Sequence, residues 1–445
     1  MKKVITYGTY DLLHEGHIRL LKRAKALGDY LIVGVTADGF DRTRGKINVQ
    51  QSLMERVEAV KATGLADKII VEEYEGQKID DIRKYEIDIF TVGSDWTGKF
   101  DYLNEFCKVV YLDRTEGISS TKIRSERKEL RIGLIGETSI VTKFRRECGY
   151  VNGVSVSGVL CEAPENIDTD CEPVTIFDSL ESLLEASDAV YVASMPEKHY
   201  SQTKAALERG KHVLCESPIT LKLTELDELS AIAQNNGLIL MDAVKTAYST
   251  AFNRLILLVK AGIIGEVMSV DTTCTSLADI QCNGGLPKPY MWNSLCWWGP
   301  NAMLPIFDIF GSDIKYCRLS SRILEGYDNF DLFTKGFFVF GNGTASFKVG
   351  LGVKSEGEMV ISGTKGYIYV PAPWWKTDYF EVRYEDQSRN KRYFYQLEGE
   401  GIRYEILSFL RQIEGESGMN LISESTTRGI VGMIEKFYAG DYDRI

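Results

Sequence analysis

"KKVITYGTYDLLHEGHIRLL", residues 2–21, is the stretch on which the fold turns. An apolar, β-branched run (KKVITY) stops at Gly8, and IRLLKRAKAL beyond it repeats its apolar residues at helical spacing. Between the two lie His14 and His17, two of only four histidines in the chain, with Asp11 and Gly16 beside them. A strand handing over to a helix here predicts a βα unit. Ligands bind at that edge of a parallel sheet, because helix N-termini and loose backbone N–H groups point there. Gly8 permits close approach of backbone to an anion. Two imidazoles at a helix start either cap it and fill core, or grip a phosphate chain.

Outward from this turn the same pattern recurs. DYLIVGV, DKIIVEE, IDIFTVG and KVVYLD read as strands, and SLMERVEAVKAT and KIDDIRKY as helices. The strands are apolar throughout, which predicts a parallel sheet covered on both faces. At residue 130 LRIGLIG opens a second βα series without a flexible linker, running to about residue 245. After that, alternating, Gly-punctuated strands such as FFVFGNGTASFKVGLG predict a mostly antiparallel sheet. Two amphipathic helices, GIRYEILSFLRQIEG and ESTTRGIVGMIEKFYAG, would cover it. The expected class is α/β: a Rossmann-like domain at 1–128, a second Rossmann domain at 130–245, and an α+β domain at 246–445.

The 445 residues are 44% hydrophobic, enough for several cores, and carry a formal net charge of −11. Residues 1–128 hold 22 Lys+Arg against 21 Asp+Glu, and the rest hold 30 against 42. An acidic majority argues against nucleic acid as a partner. No apolar window is long enough for a membrane span, and the N-terminus runs into a strand without a leader-like segment, so a cytoplasmic protein is expected. Nine scattered cysteines with no CxxC pair read as buried thiols.

A second segment favours the phosphate-gripping role of the histidines. RTEGISSTKIR, residues 114–124, brings Arg114, the amides around Gly117, and the hydroxyls of Ser119, Ser120 and Thr121 to another helix start. TRGKI adds Arg44 and Lys46. Such a set suits neutralising a triphosphate while a second phosphate attacks it.

With MKKVITYGTYDLLHEGH, GSDWTGKFDYL and VVYLDRTEGISSTKIR in view, residues 1–128 resemble the glycerol-3-phosphate cytidylyltransferases of the HxGH nucleotidyltransferase superfamily. The resemblance implies that His14 and His17, with Lys46 and Arg114, stabilise the charge developing on the CTP phosphates. Thr9, Tyr10 and Gly16 would line the nucleotide pocket with Gly8, and Asp11 would sit by the phosphates and Mg2+. Arg44 and Lys78 would hold the acceptor phosphate. Thr115, Glu116, Gly117, Ile118, Ser119, Ser120 and Thr121 would embrace the nucleotide, with Asp95 at the pocket wall. Gly64 stands where relatives carry an arginine, and an inserted residue near 44–56 leaves the acceptor open between glycerol phosphate, a longer alditol phosphate and a ketose phosphate.

Residues 130–445 resemble the Gfo/Idh/MocA oxidoreductases, through DSLESLLEASDAVYVASMPEKHYSQTKAALERGKHVLCESPITLK and AGIIGEVMSV. The resemblance implies NAD(H) or NADP(H) held by Gly136, Glu137, Thr138, Glu162 and Glu216. Three family features are altered: GETSIV replaces G-x-G-x-x-G, ESP replaces E-K-P with Ser217 for lysine, and Trp297 and Asn301 fall near the later Asp and His. Either hydride transfer has been lost and the domain is a scaffold, or the site is rearranged, with Lys245 as replacement acid and Tyr248 beside it. Trp374 and Trp375 read as a hydrophobic wall or a sugar platform, and His199 and His212 as structural or pocket-lining. The fusion implies a CDP-polyol for a surface polysaccharide or teichoic-acid-like polymer, with a monofunctional cytidylyltransferase as the alternative; a homo-oligomer is expected by resemblance.

Overall fold

The computed structural model describes residues 1–11, 13–37, 53–72, 76–113, 129–136, 139–151, 153–162, 174–280, 291–395, 397, 399–415 and 421–445, without the side chains of Glu55 and Asp95. The chain divides into two compact units, Met1–Glu129 with Tyr150–Gly153, and Leu130–Gly149 with Val154–Ile445.

In the first unit, β1 (Lys3–Gly8), β2 (Tyr30–Thr36), β3 (Lys68–Glu72), β4 (Ile89–Gly93) and β5 (Lys108–Leu112) form a parallel sheet in the order β3-β2-β1-β4-β5. Successive side chains go to opposite faces. Val4 joins Val33 and Val35 on one side, while Ile5 and Tyr7 join Ile32 and Phe90 on the other. Helices α1 (Glu15–Lys25) and α2 (Leu53–Ala62) close the first face with Leu21, Ala24 and Val60; α3 (Gln77–Tyr85) closes the second with Ile82. Both faces being covered is why these strands carry no polar alternation. Each fully buried Val or Leu contributes roughly 1.5–3 kcal/mol. The chain runs outward through β2 and β3, then returns to place β4 on the other side of β1. A crevice therefore opens where the loops after β1 and β4 diverge.

The second unit repeats the device. Strands β6 (Leu130–Ile135), β7 (Val154–Leu160), β8 (Ala189–Val192), β9 (His212–Glu216) and β10 (Leu240–Ala243) lie parallel in the order β10-β9-β8-β6-β7, reversing between β6 and β8. Helix α4 (Ser139–Cys148) follows β6; α5 (Leu180–Ala186) and α6 (Pro196–Glu208) flank β8; α7 (Leu223–Asn235) leads to β10. A nine-stranded sheet from residues 267 to 444 follows, antiparallel except for two pairings, with α8 (Thr250–Lys260) and α9 (Ser294–Phe310) inserted before and within it. Helix α10 (Ile402–Ile413) packs on α4, and α11 (Glu424–Tyr438) on α9 and α7. The two amphipathic helices thus return to the Rossmann layer as well as to α9.

Gly136, at the exit of β6, has φ +136°, and a Cβ there would stand 2.4 Å from the Ala193 carbonyl oxygen beyond β8. Backbone meets backbone at the switch point, so no rotamer change relieves the clash. Gly136→Ala is expected to destabilise the second unit by about 2–4 kcal/mol. Chemical denaturation followed by circular dichroism measures it; a midpoint equal to wild type refutes the clash.

Candidate functional site

In the first unit the site grows out of β1. Helix α1 starts from His14, whose extended backbone (φ −126°, ψ 173°) turns its ring back so that Nδ1 accepts the Gly16 N–H at 3.1 Å. One histidine is thereby the helix cap and a buried group beyond the carboxyl end of β1 at once. The neutral ring then carries its proton on Nε2. One helical turn on, His17 stacks against it with centroids 3.9 Å apart and an interplanar angle of 23°. Tyr10 meets His17 edge-on at 5.6 Å.

Tyr10 is buried with φ +54°, and its ring fills the space where a Cβ on Gly8 would lie, at 3.0 Å. Gly8 therefore makes room for Tyr10, a use of glycine the sequence reading did not include. Burial holds the Tyr10 phenol well above its ordinary value, so it stays neutral.

The loop is fastened from behind. Arg56, on α2 and fully buried, donates from Nη1 to the Thr9 carbonyl at 2.7 Å and to the Thr36 carbonyl at 2.8 Å. The ends of β1 and β2 are thus tied through one guanidinium. At the end of β3, Glu72 accepts the Thr36 hydroxyl at 2.9 Å and pairs with the Lys78 ammonium. Lys78 is only 7% exposed and lies 4.8 Å from the Tyr7 ring centroid. The Tyr7 hydroxyl donates to Asp81 at 2.9 Å, and Asp81 also takes the Gln77 amide at 3.0 Å. Lys78 is therefore engaged in a buried network at the edge of the site.

The structure brings Gly8, Thr9, Tyr10, Asp11, His14, Gly16 and His17 together in one βα turn. The Ser94–Trp96 turn that carries Asp95 leaves β4 at the same sheet edge. Arg44, Lys46, Arg114, Thr115, Glu116, Gly117, Ile118, Ser119, Ser120 and Thr121 lie outside the described residues, as do Glu137 and Thr138 of the second unit.

The family described as cytidylyltransferase-like matches residues 5–126. A glycerol-3-phosphate cytidylyltransferase of Bacillus spizizenii is 50% identical over 130 residues, which are 29% of this chain and 100% of the relative. The chain belongs to the cytidylyltransferase-like family. Downstream of that cytidylyltransferase domain, residues 131–243 match the oxidoreductase family with an NAD-binding Rossmann fold, Gfo/Idh/MocA. There an uncharacterized oxidoreductase of Escherichia coli is 34% identical over 131 residues, 28% of this chain and 40% of the relative. The 3-ketoreductase KijD10 of Actinomadura kijaniata, solved with NADP and TDP-benzene, shares the fold of the second unit. It superposes with a TM-score of 0.61 at 17% identity, over 71% of this chain and 99% of its own.

The second unit gathers its own polar groups at the ends of β8, β9 and β10. Tyr191 donates to Glu216, Asp242 accepts the Thr427 hydroxyl at 2.9 Å, and Glu405 enters from α10. Burial pushes the Glu216 carboxyl up to about 7 and Asp242 up to about 6, and drives Glu405 well above the usual range. Lys245, in the turn after β10, is bonded to Glu400 at 2.8 Å, so the expected replacement acid already has a carboxylate partner. Tyr248, three residues on, is buried. Glu162, just beyond β7, is paired with Lys198 on α6. Val141 stands at the third position of the altered fingerprint and is buried in α4.

His199 is fully buried with its ring nitrogens 2.8 and 2.9 Å from the carbonyls of Pro218 and Ser194, and His212 accepts the Ile239 N–H at 3.0 Å. Both tie strand ends together. Trp374 and Trp375 are buried: Trp374 donates to the Thr273 carbonyl at 3.2 Å, and Trp375 packs on Trp298 at 4.8 Å. Asn301 accepts the Thr246 hydroxyl at 2.8 Å. Among the described residues, no group of three or more His, Cys, Asp or Glu is placed to hold a metal ion, and no helix is long and apolar enough to cross a membrane.

The raised acids fix a pH dependence. Folded Asp242 keeps its proton up to about pH 6, whereas its ordinary value is 3.8; Glu216 keeps its own to about pH 7 against 4.5. The folded state binds more protons in that window, so the second unit loses stability as pH rises from about 4 to about 7. Thermal melts across this range are expected to fall steadily for wild type and less for Asp242→Asn. Equal slopes for the two proteins would show that Asp242 is not a buried acid.

Proposed function

We propose that the chain is a bifunctional enzyme that makes a CDP-polyol. The first domain transfers CMP from CTP to a small polyol or ketose phosphate, and the second reduces a keto group of the same metabolite with NAD(P)H. The observation that carries the first half is the stacked His14–His17 pair at the reversal of the sheet, in a domain half identical to a glycerol-3-phosphate cytidylyltransferase.

In the transfer, a phosphate oxygen of the acceptor attacks the α-phosphorus of CTP. A P–O bond forms, the α–β P–O bond breaks, and pyrophosphate leaves with its electron pair. The acceptor is already an anion at neutral pH, so no general base is needed and catalysis consists of positioning and charge stabilisation. His14 and His17 meet the charge that grows on the leaving phosphates, helped by Lys46 and Arg114. Gly8, Thr9, Tyr10, Gly16, Asp95 and residues 115–121 hold the nucleotide. Arg44 and Lys78 serve the acceptor phosphate, which for Lys78 means exchanging or sharing its Glu72 partner. A single carboxylate together with substrate phosphates suits Mg2+, and Asp11 at the mouth of the β1 turn is the group that would hold it.

In the second domain the sheet reversal at Gly136 supports dinucleotide binding, with Gly136, Glu137, Thr138, Glu162 and Glu216 as the residues that would hold the dinucleotide. Bound NAD(P)H supplies the hydride. Lys245 and Tyr248 orient the keto group, and behind them lie buried acids that titrate at about 6 and about 7. A homo-oligomer that delivers its product to a surface-polymer pathway completes the reading.

With CTP, Mg2+ and glycerol 3-phosphate, pyrophosphate release is expected, and His17→Ala should lower kcat about 100-fold or more. Wild-type rates in that variant, or no release with any polyol or ketose phosphate, refute the transfer. Loss of absorbance at 340 nm with NADH or NADPH and a ketose phosphate is the matching expectation for the second domain. No oxidation and no nicotinamide binding by calorimetry would leave it as a scaffold.

A further inference from the structure

Three lysines from distant parts of the second unit converge on one carboxylate. Lys143 of α4 reaches both oxygens of Glu400 at 3.1 Å, Lys245 reaches Oε2 at 2.8 Å, and Lys376 reaches Oε1 at 2.7 Å. Burial opposes the charge on Glu400, yet the hydrogen bonds from Lys245 and Lys376 hold its carboxyl well below the usual range. Glu400 is itself non-helical, with φ +54°, between Gly399 at +57° and Gly401 at +93°.

The charges do not cancel. Three ammonium groups face one carboxylate, and the nearby Glu147 is already matched by Arg403 at 2.7 Å. Burial shifts the acids beside Lys245 toward their protonated forms, Glu216 to about 7 and Asp242 to about 6, with Glu405 also raised. Against Glu400 alone the three ammonium groups are in excess, which suits an added anion such as a phosphate.

A second observation lies deeper in the same place. The Glu405 carboxyl, within the electrostatic reach of Lys245, has an oxygen (Oε1) with no hydrogen-bond partner among the described residues. The hydroxyl of Tyr248, one turn from Lys245, lacks one as well. Both side chains are almost fully buried, and burial favours the neutral form of each. Buried polar groups left unsatisfied cost free energy that a partner on a ligand would return.

We infer that Lys143, Lys245 and Lys376 form the phosphate subsite of the reductase, that Tyr248 and Glu405 face the oxygen-bearing carbons of its substrate, and that the Glu400 carboxylate occupies the subsite as a latch. The substrate class is a short hydroxy-ketone carrying a phosphate, either as a monoester or as the diphosphate of a CDP ester. This rests on the reductase reading above and narrows it.

Calorimetry on the full chain tests the subsite without turnover. The probes are orthophosphate, dihydroxyacetone phosphate, CDP-glycerol and uncharged dihydroxyacetone. Glu400→Gln removes the competing anion and is expected to tighten the phosphorylated probes about tenfold; Lys143→Gln and Lys376→Gln should each weaken them about three- to tenfold. Dihydroxyacetone should respond to none of the three. All three positions lie outside the cytidylyltransferase domain, so differences from wild type report the second unit. A larger effect on dihydroxyacetone phosphate assigns the monoester, and a larger effect on CDP-glycerol assigns the diphosphate. Unchanged dissociation constants in all three variants overturn the inference, even if NADH oxidation shows the reductase to be active. Opposite shifts in the glutamate and lysine variants uphold it, even if no ketone is reduced.

Discussion

A parallel sheet can only be extended by crossing over it, and a chain that first crosses in one direction and then in the other leaves a gap where its loops part. Both units depend on that constraint. In the first, the gap lies between β1 and β4 and receives the two histidines. In the second it lies between β6 and β8, where Gly136 lets two backbones pass. Helix N-termini and unpaired amides gather at such an edge without any special sequence. The side chains then only decide which anion is welcome there.

What decides it in the first unit is rigidity more than charge. His14 is locked by its cap, His17 by stacking, Tyr10 by its left-handed backbone, and Thr9 by the guanidinium of Arg56. A reaction with no covalent nucleophile gains from such fixing, because stabilising a leaving polyanion requires donors that need not reorganise. The second unit is different in kind. Its acids are buried, while its lysine–glutamate cluster is partly exposed and carries more ammonium groups than carboxylates.

The architecture was legible because its periodicities are strong: apolar strands between helices for the two parallel sheets, then alternation for the third. The His14–His17 turn was legible for the same reason, as a break in pattern filled with rare residues. Arg56 was missed, although a signal existed. It sits between Leu53, Val57 and Val60 at helical spacing, so a cation lay on an apolar face. Glu405 carries the same mark, between Ile402, Ile406 and Phe409 on α10. Glu400 carried none. Its partners come from positions 143, 245 and 376, and only the folded chain brings such distant residues together. The clearance that Gly8 gives Tyr10 likewise depends on a side chain turning back over its own loop.

The Arg56 tie has one more implication. The chain leaves β2 at Thr36 and re-enters at α2, and both departure points hang on the same nitrogen atom. Whatever is added to or removed from the excursion between them, its two feet remain planted, and lengthening a closed excursion costs little entropy. The cations at positions 44 and 46 belong to that excursion. Length can therefore change between positions 36 and 53 while the imidazoles next door hold still.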